Sequence, residues 1–186
     1  MFTSNIKFKN FKNFKSRKIK NFEKEKWFNE IKLLGSLKKS YKYSYSKNQI
    51  YKLKKATKYR LIGMGGSILG AEAIYQFLKH KIKKNFIFIN NLNPNLKKIK
   101  KKENVRNIVI SKSGNTLETI LNSNLIINKK NKNIFITENN NSYLNILAKK
   151  LKAEIIEHKN YIGGRYSVLS EVGMLPAEIM GLNESK

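Results

Sequence analysis

The sequence contains no cysteine and no aspartate. Without cysteine there is no disulfide framework, no thiolate nucleophile and no cysteine-bound zinc. Without aspartate there is no Asp–His–Ser triad, no aspartyl nucleophile and no aspartate-built metal cage. The two histidines, His80 and His158, lie far apart in the chain, which argues against a histidine metal site. No uncharged apolar run approaches the ~20 residues of a membrane span. The first residues also lack the roughly 7–15-residue apolar core of a secretory signal, so the cytoplasm is the expected compartment. What remains is chemistry done with backbone amides, hydroxyls, Glu, Lys and Arg.

The 186 residues suffice for one domain of ordinary size plus an extension, and a hydrophobic content of 40% can supply one core. The formal net charge is +27, from 39 basic and 12 acidic residues. Such a charge suggests nucleic acid, because Lys and Arg that neutralise phosphates drive non-specific binding. The distribution argues otherwise. Residues 1–60 carry 19 basic and 3 acidic residues, residues 61–186 carry 20 and 9, and 25 asparagines accompany the lysines throughout. Only four of the cations are Arg: Arg17, Arg60, Arg106 and Arg165. This reads as compositional drift of an AT-rich genome; a nucleic-acid binder concentrates Arg and aromatics on one element. No nucleic-acid partner and no membrane partner are expected.

Residues 1–57 form a basic N-terminal extension with broken periodicity. Phe8, Phe11 and Phe14 recur every third residue, which reads as a helical arm packing its Phe side on the domain. A transit peptide or a basic amphipathic helix would share that pattern. Trp27, Ile31 and Leu34 predict a helix near Phe22–Leu37, with irregular chain after it.

From residue 58 onward short apolar runs alternate with helical stretches. The predicted strands are Tyr59–Gly63, Asn85–Asn90, Val105–Ser111, Asn133–Thr137 and Glu154–Glu157. The predicted helices are Ile68–Lys83, about Pro94–Glu103, Thr116–Lys130, Ser142–Leu151 and Ser167–Met180. Nearly continuous apolar strands are expected where helices cover both faces of a parallel sheet. Residues 58–186 therefore read as an α/β domain, a doubly wound five-stranded parallel sheet of the flavodoxin-like kind. In that architecture ligands bind at the carboxyl ends of the strands, where helix N-termini converge. Glycines and hydroxyls gather after strands one, three and five.

Gly63-Met64-Gly65-Gly66-Ser67 follows the first strand. Its glycines permit close approach of a ligand to the backbone, although a plain tight turn would look the same. It is no dinucleotide fingerprint, because Ile68 stands where the third glycine belongs and Asn90 where a ribose-binding acid is wanted. Ser111-Lys112-Ser113-Gly114-Asn115-Thr116 follows the third strand. Three hydroxyls and free amides at a helix N-terminus suit a phosphate monoester. Simple capping by Thr116 or Asn115, with Glu118 in the first turn, uses the same groups. Tyr161-Ile162-Gly163-Gly164-Arg165-Tyr166-Ser167 follows the fifth strand. A rare Arg behind two glycines offers a rigid, permanently charged fork to an oxyanion, or else satisfies helix-terminal carbonyls.

Together GMGGSILG, SKSGNTLET and YIGGRYSVLSEVGMLP resemble the sugar isomerase (SIS) domain family, in its glucose-6-phosphate isomerase branch. The resemblance covers roughly residues 58–182. It implies an aldose–ketose isomerase that interconverts glucose 6-phosphate and fructose 6-phosphate through a cis-enediolate, with no metal and no cofactor. It implies further that Ser111, Lys112, Ser113 and Thr116 hold the phosphate. Gly66, Ser67 and Gly164 would contact the sugar, and Arg165 would stabilise the enediolate. A homodimer is implied for the full-length enzyme. The family's catalytic Glu, His and Lys lie in later segments, so the sequence reads as the N-terminal half of such an enzyme. The alternative is a sugar-phosphate-binding SIS module without turnover. His80 and His158 match no family motif and are expected to be ordinary helix-end or surface residues. Glu118 and Glu171 do not match the family's base.

Overall fold

Five runs of β-branched and aromatic residues form strands β1 (Lys58–Ile62), β2 (Asn85–Ile89), β3 (Val105–Ile110), β4 (Lys132–Thr137) and β5 (Glu154–Glu157). They lie parallel in one sheet of order β2-β1-β3-β4-β5. The structure, a computed structural model, describes residues 30–38, 40–92, 105–127, 129 and 132–183. All six residues of β3 are buried, as a central strand covered on both faces requires. Among the described residues no helix is long and apolar enough to cross a membrane.

Helices α1 (Lys47–Leu53), α2 (Leu69–Leu78), α3 (Leu117–Ile126), α4 (Tyr143–Lys150) and α5 (Glu171–Met180) cover the two faces. On one face Ile50 and Leu53 of α1, Ala71 and Tyr75 of α2 and Val172, Leu175 and Ile179 of α5 pack on Leu61, Ile108, Ile110, Ile134, Ile136 and Ile156. On the other, Leu144 and Ala148 of α4 and Ile120 and Ile126 of α3 pack on Ile62, Val109 and Phe135. This is the doubly wound α/β architecture that the alternation of elements predicts. The strand order reverses between β1 and β3, and that reversal opens a crevice at their carboxyl ends.

The strands fall within a residue of their predicted limits, and the helices are shorter. α2 gives way at Leu78 to a 3-10 turn over Lys79–Lys81, and α3 stops at Ile126. The predicted last helix is two pieces, a 3-10 turn over Gly164–Leu169 and then α5, whose Ser170 cap accepts a hydrogen bond from the Val172 N–H at 3.5 Å. The helix expected near Pro94–Glu103 and the Phe8–Phe14 arm lie outside the described residues. Of the helix expected near Phe22–Leu37, the described part is a 3-10 helix over Lys32–Leu37.

Where irregular chain was expected, α1 forms instead. Ser46 and Gln49 close a capping box, Gln49 N–H to Ser46 Oγ at 3.3 Å and Ser46 N–H to Gln49 Oε1 at 2.6 Å. The fully buried Tyr59 then ties the end of α1 to the sheet. Its hydroxyl donates to the carbonyls of Leu53 at 2.6 Å and Ala56 at 2.9 Å, and its ring stacks on Phe86. The segment ahead of α1 is held by Glu171, which is 0% exposed. That carboxylate accepts from Tyr41 Oη at 2.9 Å and, at 3.0 and 3.1 Å, from the Ser44 N–H and Oγ. Burial, and after it the Glu171 charge, pushes the Tyr41 phenol well above its ordinary range.

Tyr59→Phe keeps the stacking and removes a buried donor shared by two carbonyls. It is expected to cost about 1–3 kcal/mol in urea unfolding. A variant as stable as the parent would show that the hydroxyl does not hold α1.

Candidate functional site

The loop after β1 and the loop after β5 touch backbone to backbone. A Cβ on Gly66 would fall 2.1 Å from the Gly164 carbonyl oxygen, so only glycine lets the two chains approach this closely. Ser167, fully buried, locks the contact: its hydroxyl lies 2.7 Å from the Gly164 carbonyl and 3.3 Å from that of Gly66. In the sequence Ser167 reads only as the start of the last predicted helix. Its signal was there, as a hydroxyl two residues beyond Arg165 in a glycine turn.

The loop after β3 folds on its own hydroxyls. Ser111 Oγ accepts from the Gly114 N–H at 3.2 Å and lies 3.0 Å from Thr116 Oγ1, while Ser113 Oγ accepts from the Asn115 N–H at 3.2 Å. Gly114 takes φ 69°, and a Cβ there would strike Ser142 Oγ. The capping expected of Thr116 or Asn115 is not what these side chains do. Thr116 stands at the N-cap position of α3 and makes no capping hydrogen bond. The Asn115 carbonyl oxygen accepts instead from the Tyr143 N–H at 2.9 Å, at the start of α4. α3 therefore begins with no side chain answering its first amides, beside three hydroxyls, and its dipole favours an anion there.

Lys112 joins this loop to the one after β5. Its ammonium donates to the Asn160 carbonyl at 2.7 Å and pairs with Glu138 at 3.4 Å. Sequence reasoning missed Glu138 because the loop after β4 has no glycine, and Asn160 because it acts through its backbone carbonyl, which any residue supplies. Arg165 is exposed, and among the described residues its guanidinium has no hydrogen-bond or ion-pair partner. It does not satisfy helix-terminal carbonyls. The Ser67 hydroxyl is likewise without a partner among the described residues.

Of the remaining titratable groups, His80 is exposed on the 3-10 turn after α2, as expected. His158 is not a surface residue. Its N–H donates to the Thr137 carbonyl at 2.9 Å, which carries the β5 ladder one residue further. Two positions beyond Ile156, the ring therefore turns to the same covered face and is 1% exposed. Its Nδ1 lies 3.1 Å from the Lys159 carbonyl, and its Nε2 has no partner. Burial pushes the imidazole below its ordinary value, against the opposing effects of the Lys159 carbonyl and Glu171. His158, Glu138 and Tyr161 line a cavity of about 540 Å³ at the carboxyl ends of β4 and β5. Among the described residues no group of three or more His, Cys, Asp or Glu side chains could hold a metal ion.

At the carboxyl ends of the strands the loop after β5 thus touches the loop after β1 and is tied by Lys112 to the loop after β3, which leads into α3. The phosphoglucose isomerase family model matches residues 46–184, from the cap of α1 to beyond the end of α5. The chain belongs to the phosphoglucose isomerase family. It is 40% identical over 138 residues to the glucose-6-phosphate isomerase of Methanocaldococcus jannaschii, covering 68% of this chain and 33% of that one. To the glucose-6-phosphate isomerase of Acholeplasma laidlawii it is 36% identical over 162 residues, covering 75% and 38%. The chain thus spans about a third of the length of these relatives. Among solved structures a Thermus thermophilus protein of unassigned function aligns with TM-score 0.61 at 21% identity, covering 73% of this chain and 37% of that one. The tagatose-6-phosphate ketose/aldose isomerase of Escherichia coli aligns with TM-score 0.53 at 15% identity, covering 72% and 40%. The fold is the SIS type shared by sugar-phosphate isomerases.

Two outcomes follow for this family member. Gly66→Ala is expected to lower stability by about 1–3 kcal/mol, since backbone must move, whereas a methyl at Gly164 meets nothing within 4 Å and leaves the melting curve in place. Equal curves for the two variants would show that the loops do not touch. The buried His158 titrates below the ~6.5 of an unfolded histidine, so its contribution is fully present above that pH. As pH falls the unfolded chain takes the proton first, and stability is lost through the folded-state pKa. Denaturant melts of His158→Leu should show a flatter acid limb than those of the parent. Identical slopes for the two proteins would remove His158 from the titration.

Proposed function

We propose that the chain supplies the phosphate anchor and the enediolate-stabilising cation of an aldose–ketose isomerase acting on glucose 6-phosphate and fructose 6-phosphate. The observation that carries this reading is the pairing of an uncapped α3 start, ringed by Ser111, Ser113 and Thr116, with the unpartnered Arg165 on a loop locked to Gly66. The family membership and the glucose-6-phosphate isomerases among the relatives support it.

In this reading the sugar's phosphate accepts hydrogen bonds from the first amides of α3 and from the three hydroxyls. Lys112 braces the loop through Asn160 and Glu138 and contributes its backbone amide. The phosphate lies remote from C1 and C2, so its binding energy goes into positioning them. Gly66, Ser67 and Gly164 border the sugar. Arg165 faces the oxygens that become negative when a proton leaves the carbon, and such a preorganised cation contributes ~2.7–4 kcal/mol. Neither Glu118, in the first turn of α3, nor Glu171, buried against Tyr41 and Ser44, is taken as the base that moves the proton. That role is assigned to chain outside these 186 residues.

Calorimetry on the chain should show fructose 6-phosphate binding and fructose failing to bind. Ser113→Ala/Thr116→Ala should weaken the phosphate ester by at least about tenfold. Equal heats for the two sugars, or an unaffected double variant, would sink the assignment. A coupled dehydrogenase assay should find no turnover by the chain alone, and a rate on the order of 10 s⁻¹ would place the base within it. Once the remainder of the enzyme is supplied and activity appears, Arg165→Lys should lose most of it, because Lys keeps the charge without the planar fork.

A further inference from the structure

At the other end of the sheet, the amino-terminal ends of β3, β4 and β5 and the C-terminal end of α1 enclose a cavity of about 430 Å³. Leu53, Ile134, Leu151 and Ala153 supply its apolar surface. Six cationic side chains line it, from Lys52, Lys55, Arg106, Lys129, Lys132 and Lys152. The sole carboxylate in the lining, Glu154, already accepts a hydrogen bond from Gln49 Nε2.

Lysines alone would prove little in so basic a chain, and Lys52, in the last turn of α1, also answers the negative end of that helix. Arg106 is different. It is one of only four arginines, it is 5% exposed, and among the described residues its buried Nε has no hydrogen-bond partner. Folded proteins seldom leave a buried guanidinium donor without an acceptor unless a ligand or a water supplies one. Arg106 also adds to the positive charge felt at Lys84, beyond the cavity. Lys84, whose ammonium donates to the Lys54 carbonyl, is pushed toward its neutral form first by burial and then by Lys54 and Arg106.

We infer that this cavity is a second anion-binding site, for a small molecule carrying several phosphate groups. Its cations come from α1, from the strand ends and from the turns before β4 and β5, so they surround a guest. A nucleic-acid duplex would instead need a stripe of cations following its strand. The volume suits a metabolite, and the cationic excess suits more than one phosphate.

Calorimetry on the full chain at physiological salt tests this with inorganic tripolyphosphate as the probe. Lys55→Glu/Lys132→Glu, which reverses charge on two walls of the cavity, should weaken binding at least about tenfold. Lys79→Glu/Lys81→Glu makes the same charge change before β2, at the other edge of the sheet, and should weaken it less than about twofold. Arg106→Gln should lose binding as well, with a melting curve to show that it folds. Equal losses from the two lysine pairs would reduce the effect to the chain's general charge and overturn the site. So would loss of binding in Ser113→Ala/Thr116→Ala, which would put the probe at the α3 start, or a DNA duplex that outcompetes tripolyphosphate and responds to the same cavity variants.

Discussion

The closest approach in the molecule that matters for chemistry is that of Gly66 to Gly164. β1 and β5 are not neighbours in the sheet, since β3 and β4 lie between them. The chain leaving β5 must therefore cross back over the strand ends to bring Arg165 toward the crevice beside β1. The missing side chain at Gly66 permits the contact, Ser167 bonds both carbonyls, and the Lys112–Asn160 link fastens the same stretch to the loop after β3. A bulkier residue at Gly66 would not simply weaken a turn. It would shift the loop that carries Arg165, the cation of the proposed site.

The site uses its charges sparingly despite the chain's surplus. Hydroxyls rather than ammonium groups surround the start of α3, and Lys112 spends its charge on Glu138 and a carbonyl. A rigid guanidinium, without a partner among the described residues, differs from a lysine in the same place because it holds its donors in one plane. Under the proposed function this is a division of labour, in which hydroxyls would hold a phosphate present throughout and one cation would meet charge that appears only during reaction.

The sheet was legible because runs such as NIVI and NIFI leave no room for a solvent-facing strand side, and the three loops because glycines with hydroxyl residues follow strands one, three and five directly. Other features were hidden for identifiable reasons. α1 carries its start signal, Ser46 and Gln49, within a Tyr/Lys/Ser run whose composition reads as loop. Its stability comes from Ile50 and Leu53 meeting the sheet, a tertiary effect that periodicity over seven residues cannot reveal. The inward turn of His158 depends on the β5 ladder continuing one residue past the apolar run. Thr116 leaves its cap unused with its hydroxyl against that of Ser111, while the Asn115 side chain answers α4, and no local pattern indicates which of two helices an asparagine will serve.

The buried carboxylate of Glu171 imposes an order of events on synthesis. Its donors, Tyr41 and Ser44, leave the ribosome well over a hundred residues before it does. Until then the chain ahead of α1 has no acceptor to close upon, whereas α1 itself can already bond to Tyr59, a few residues downstream. The amino-terminal stretch is therefore among the last parts of the described structure to settle. It waits for α5, and a contact of such sequence separation slows the final step of folding more than it deepens the native minimum.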